Sequence, residues 1–126
     1  MTENDLSYAI RGAAFKVYNE LGPGLLESIY EAALKYELQQ LGIRVESQLP
    51  IPVEYKEVRL ELGFRLDLLV GEKVIVEIKS VETISPVHYK ILLSYLRLAN
   101  KKLGLLINFS SDNLAGDIKR IINGKL

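Results

Sequence analysis

Two short apolar runs separated by a glycine turn each carry a carboxylate, and this constrains the fold more than any other feature of the chain. The first run is Phe64-Arg65-Leu66-Asp67-Leu68-Leu69-Val70 and the second is Val74-Ile75-Val76-Glu77-Ile78-Lys79. Both read as buried β-strands, with Gly71-Glu72 as a turn signal between them. An unpaired charge is costly to bury, so acids in such strands need partners. Two carboxylates and a lysine together suit a divalent cation and the negative charge of a phosphoryl transition state. That chemistry is metal-assisted phosphodiester hydrolysis.

Strand alternation puts a geometric condition on this reading. Glu77 and Lys79 are two apart and share one face, whereas Val76 and Ile78 face the other way. A three-residue connection Gly71-Glu72-Lys73 sets Asp67 opposite Glu77. A two-residue turn sets Asp67 opposite Val76 and sends the carboxylates to opposite faces unless a bulge intervenes. The competing reading is structural, with Asp67 and Glu77 as edge charges paired to Arg65 and Lys79.

The rest of the chain supplies a frame for this hairpin. Leu6, Ala9, Ile10, Ala13, Val17 and Leu21 recur at helical spacing and predict a helix from about Asp5 to Leu21, ended by Gly22-Pro23-Gly24. A second helix is expected from about Leu26 to Leu41, with Gly42 as its stop. Val45 to Tyr55 reads as an edge or bulged strand because Pro50 and Pro52 interrupt it. Strands follow over Val58 to Val70 and Lys73 to Lys79. Ser85 and Pro86 open a third helix that runs to about Ala99, where Asn100 can take a left-handed cap. Leu103 to Phe109 is a continuous apolar strand of the doubly buried kind. A last helix is expected over roughly Asn113 to Ile122. The order α-α-β-β-β-α-β-α describes an α/β domain with a mixed sheet flanked by helices, one domain over residues 1–126.

Composition narrows the function classes. Sixteen basic and sixteen acidic residues balance, which disfavours generic tight binding to nucleic acid. A local basic cluster at Lys90, Arg97, Lys101 and Lys102 remains, and its bland reading is a solvated helix end. No apolar run is long enough to span a membrane, and the N-terminus lacks the pattern of a signal peptide. The absence of cysteine excludes thiolate–zinc sites and points to a cytoplasmic location.

Further candidates lie on the helices. Glu27 falls in the first turn of the second helix, where the helix dipole alone favours an acid. It also projects onto the stripe of Tyr30, Leu34, Leu38 and Leu41, which turns it toward the protein. Glu37 shares that stripe, and Arg65 is a structural partner for one of them. His88, the lone histidine, starts the third helix with Tyr95 seven residues on along the same face; a capping or packing role competes with catalysis. No phosphate loop, Ser-His-Asp order or histidine pair with metal spacing is present.

Gly24-Leu25-Leu26-Glu27-Ser28-Ile29-Tyr30 resembles the Gly-x-x-Glu-x-x-Tyr signature of the GxxExxY proteins, which are assigned to the PD-(D/E)XK nuclease superfamily. The resemblance continues through Phe64 to Val70, Val76-Glu77-Ile78-Lys79-Ser80, Pro86-Val87-His88, Ser94-Tyr95-Leu96 and Gly104 to Phe109, in order across nearly the whole chain. It implies a restriction-endonuclease-like fold. It further implies that Asp67, Glu77 and the Ile78 carbonyl ligate Mg²⁺ or Mn²⁺, with Glu27 approaching from the helix. Lys79 would assist the attacking water, and His88 and Tyr95 would meet substrate. One departure stands out: the family commonly has Gln three residues after the histidine, where this chain has Ile91. The expected partner is nucleic acid, DNA foremost, with no membrane and a homodimer left open. The runner-up is a non-catalytic module that keeps the nuclease scaffold to bind nucleic acid or protein.

Overall fold

The computed structural model describes residues 1–126. Thr2 and Asp5 cap the first helix, α1 (Glu3–Leu21), each side chain accepting from the other's backbone N–H. This reciprocal cap satisfies donors that a helix start leaves open. Leu6, Ile10, Ala13, Ala14 and Val17 form its buried stripe. The second helix, α2 (Glu27–Gln40), buries Tyr30, Leu34 and Leu38, one residue per turn on one face.

Five strands follow: β1 (Val45–Tyr55), β2 (Val58–Val70), β3 (Val74–Lys79), β4 (Leu103–Asn108) and β5 (Ile118–Ile122). They lie side by side in sequence order. All neighbours are antiparallel except β3 and β4. A parallel pair needs a crossover, and α3 (Pro86–Ala99) provides it. Asn100 closes that helix at φ +55°, in the left-handed region. On one face of the sheet Leu68, Val70, Val76, Ile78, Leu105 and Ile107 pack under α1 and α2. On the other, Leu66, Leu69, Ile75 and Leu106 meet Leu92 and Leu96 of α3. This mixed sheet between helices is a restriction-endonuclease-like arrangement. β1 is an edge strand, the position its two prolines favour, and its register slips between Pro52 and Val53.

The end of the chain departs from expectation. The helix expected over Asn113 to Ile122 is only a 3₁₀ turn at Leu114–Asp117, and the next five residues form β5. Gly116 weakens a helix there. Ile118, Ile121 and Ile122 are β-branched and suit a strand. The exposed edge of β4 then decides the matter, because pairing Leu103–Ile107 with Ile118–Ile122 satisfies backbone groups that would otherwise stand open.

β1 and β2 also turn over at a single rung. Val45, Leu68 and Val70 belong to the core beneath α1 and α2, whereas Leu49, Ile51, Phe64 and Leu66 pack on the α3 side. In a regular strand residues 45 and 49, or 66 and 68, share a face. The ladder pairs Ser47 with Leu68 and Leu49 with Leu66, and the rung between them, Gln48 and Asp67, is unpaired. Gln48 has φ +51°, so the backbone itself makes the turn.

Candidate metal centre

The β2–β3 connection is Gly71-Glu72-Lys73, with Val70 opposite Val74 and Leu68 opposite Val76. Gly71 and Glu72 both sit at positive φ. Of the two turns the sequence allows, the three-residue one forms. Its register sets Asp67 across from Glu77. Beyond Leu68 and Val76 the ladder stops, and side chains take over. The Asp67 N–H donates to Glu77 Oε1 at 3.3 Å, and the Ile78 N–H donates to Asp67 Oδ2 at 2.9 Å. Each carboxylate therefore occupies a place where a backbone carbonyl would have closed the ladder.

Glu77 is 7 % exposed. Burial, followed by the negative charge of Asp67, pushes its carboxyl from an ordinary 4.5 up to about 8. Lys79, two residues along the same face, pulls the other way and does not prevail. No ion pair covers either acid. The salt bridges are those of Arg44 with Glu46 and Glu72, so the competing structural reading with Arg65 and Lys79 as partners fails. Arg65 is exposed and pairs with none of the candidate acids.

Glu27 opens α2, and its Oε2 accepts the Ser80 N–H at 3.0 Å, directly after Lys79. The turn that carries it is pinned by Tyr30. The buried Tyr30 hydroxyl donates to the Gly22 carbonyl at 2.5 Å and accepts the Leu25 N–H at 3.0 Å. Its ring stacks on Phe109 with centroids 4.6 Å apart. Gly24 sits at φ +97°, a conformation glycine adopts without strain. The glycine, glutamate and tyrosine of the Gly-x-x-Glu-x-x-Tyr run thus have distinct tasks: bending the chain, reaching β3 and stapling the turn to the core.

Glu27, Ser28, Glu31, Gln48, Asp67 and Ile78 line one open cleft of about 310 Å³. Glu27 is solvent-exposed on its rim. Glu27 and Asp67 share the cleft, but no three acidic or histidine side chains converge on one point as a finished cage. Glu31 also faces the cleft, and partial burial outweighs the Gln48 hydrogen bond to raise its carboxyl above its ordinary range, with Asp67 adding to the rise.

α3 brings Tyr95 to the other side of the pair. Its ring stacks on Phe64 at 4.4 Å. Burial, then the charges of Glu77 and Asp67, push its hydroxyl upward. His88 is not joined to the acids by any hydrogen bond; its Nδ1 accepts the Ser85 N–H at 3.2 Å and caps α3. Ile91 is 41 % exposed on the same helix. Behind Lys79, fully buried Asn108 holds the chain by bonding both backbone groups of Val81.

Residues 4–121 match the family pattern of the PD-(D/E)XK nuclease superfamily. The chain belongs to that superfamily. Comparison with curated proteins gives no match. PD-(D/E)XK nucleases generally use divalent metal ions, and membership carries with it a nuclease-like function and nucleic acid as the partner. No helix of the protein is long and apolar enough to cross a membrane.

The donors present suit such an ion. A hard cation such as Mg²⁺ takes oxygen ligands and keeps several waters, and Asp67 offers carboxylate oxygens to the open cleft with the buried Glu77 carboxylate bonded directly behind it. Glu77 has no cationic partner, and a divalent charge would offset both the burial and the Asp67 repulsion that raise its pKa. Sequence reasoning did not single out Glu31 or Gln48. Glu31 is four residues after Glu27, so helical spacing could have placed it on the same face. Gln48 has no local signal; only the β1–β2 register sets it across from Asp67.

Proposed function

We propose that this PD-(D/E)XK domain hydrolyses phosphodiester bonds with Mg²⁺ or Mn²⁺, and that its substrate is DNA. The observation that carries the proposal is the Glu77 carboxylate, buried beside Asp67 without a cationic partner. Asp67, Glu77 and the Ile78 carbonyl would hold the ion, with Glu27 on the rim of the cleft that Asp67 and Ile78 line. Once bound, a divalent cation supplies charge for the phosphate oxygens and acidity for an attacking water.

The chain's own groups do the remainder. Lys79 shares the Glu77 face and forms no salt bridge, so its ammonium is free to orient the water and balance charge building on the phosphate. Water oxygen bonds to phosphorus as the P–O bond to the leaving oxygen breaks, and that oxygen ends with a proton. Tyr95, stacked on Phe64 beside the acids, would contact substrate. His88 would reach substrate only with the ring face or nitrogen that its cap leaves over.

A second reading, a non-catalytic module that binds nucleic acid or protein on this scaffold, draws on Ile91, which cannot make the polar contact of the glutamine usual in the resembling family. A cleavage assay on single- and double-stranded DNA and RNA with Mg²⁺ or Mn²⁺ separates the two. The proposal expects wild-type cleavage that EDTA and Glu77→Ala both abolish. Nucleic-acid binding with no cleavage under any of these conditions would favour the second reading.

A further inference from the structure

Five non-glycine residues have positive φ: Gln48, Lys56, Glu57, Glu72 and Asn100. Lys56 and Glu57 form the β1–β2 turn, Glu72 lies in the β2–β3 turn, and Asn100 caps α3. Gln48 alone lies within a strand. Its φ of +51° is sparsely populated for a residue with a Cβ, and such strain persists where surrounding structure demands it. The demand here is visible. Gln48 occupies the rung where β1 and β2 turn over together, directly across from Asp67. Its Nε2 donates to Glu31 Oε1 at 2.7 Å and lies 3.5 Å from Asp67 Oδ1.

We infer that Gln48 is a positioning residue, whose amide holds Asp67 and Glu31 in the cleft so that Asp67 faces the cation. The inference rests on the reading that Asp67 and Glu77 bind a divalent ion. An amide suits this task because its two hydrogens can serve two carboxylates at once while adding no charge of its own. Asp67 Oδ2 is already fixed by the Ile78 N–H. The Gln48 contact orients the second oxygen, which completes the definition of the carboxylate plane. Without the amide, Glu31 and Asp67 would repel across the cleft and the Asp67 carboxylate would lose one of its two guides. Partners that orient metal ligands typically affect metal affinity by about 10–100-fold.

The test is direct Mn²⁺ binding by electron paramagnetic resonance titration, alongside thermal melts in EDTA. Gln48→Gly and Gln48→Asn are the variants, because both residues accept positive φ and so keep the strand's turn. Neither can span to both carboxylates. The expected result is Mn²⁺ affinity weakened about 10-fold or more in both variants, with melts in EDTA close to wild type. Wild-type affinity in the variants would overturn the inference and leave the metal-site reading intact. A loss of affinity that tracks a large drop in melting temperature would make Gln48 a folding residue only, and would overturn it too. No Mn²⁺ binding by the wild type would overturn the metal-site reading, and this inference with it.

Discussion

Replacing Glu77 with glutamine should make the metal-free protein more stable, increasingly so as pH rises. The carboxyl has its ordinary pKa of 4.5 in the unfolded chain and one of about 8 when folded. Below pH 4.5 both states hold the proton, and Glu77 contributes no pH dependence. Between 4.5 and 8 the folded protein keeps a proton that the unfolded chain has released, so stability falls with pH by about 1.4 kcal/mol per pH unit. The accumulated loss is roughly 3 kcal/mol at pH 7 and on the order of 5 kcal/mol above pH 8. Against a typical total of about 5–15 kcal/mol, that is a large part. Glutamine has the shape of the protonated acid, keeps an oxygen for the Asp67 N–H and does not titrate. Urea unfolding in EDTA from pH 5 to pH 8.5 should therefore show wild-type stability declining while Glu77→Gln stays nearly flat. Parallel curves for the two proteins would refute the reasoning, because they would mean that Glu77 ionises in the folded state as easily as in water.

Mn²⁺ or Mg²⁺ should raise the wild-type melting temperature, by the equivalent of about 2.7 kcal/mol at a hundredfold excess over the dissociation constant. The rise should grow from pH 6 to pH 8 as the proton on Glu77 ceases to compete, and Asp67→Asn should remove it; a scanning-fluorescence melt reads both. Lys79→Met should keep the metal-dependent melting shift but lower the rate of DNA cleavage by about 10²–10⁴-fold, the usual scale for a positioned proton-transfer or charge-stabilising group; equal rates would remove Lys79 from the mechanism. Tyr30→Phe should cost about 1–3 kcal/mol of unfolding free energy, since it leaves the Gly22 carbonyl and Leu25 N–H without their shared partner. Gly63→Ala should destabilise the protein by about 1–3 kcal/mol, because the new Cβ would lie 2.1 Å from the Ile51 carbonyl oxygen, a backbone atom that cannot swing aside.

Local patterns in the chain were enough to define most of the architecture. The stripes of Leu6, Ile10, Ala13 and Val17 and of Tyr30, Leu34 and Leu38 predict helices because 3.6-residue spacing buries one face wherever the partner comes from. Ser85-Pro86 and Asn100 bound α3 by backbone chemistry that depends only on near neighbours. The acids of β2 and β3 stood out for the same reason, as charges inside apolar runs. Tertiary structure decided what depends on residues distant in sequence. The Gly71-Glu72-Lys73 turn, one of two the sequence allowed, set Asp67 across from Glu77. The open edge of β4 made a strand of Ile118–Ile122, within the stretch from about Asn113 expected to be a helix. Glu31 and Gln48 joined Asp67 only because α2 packs over the rung where two strands turn over. Periodicity is a property of a segment, but register, strand edges and the burial that raises the Glu77 pKa are properties of pairs of segments, and they come into being only when the chain has folded.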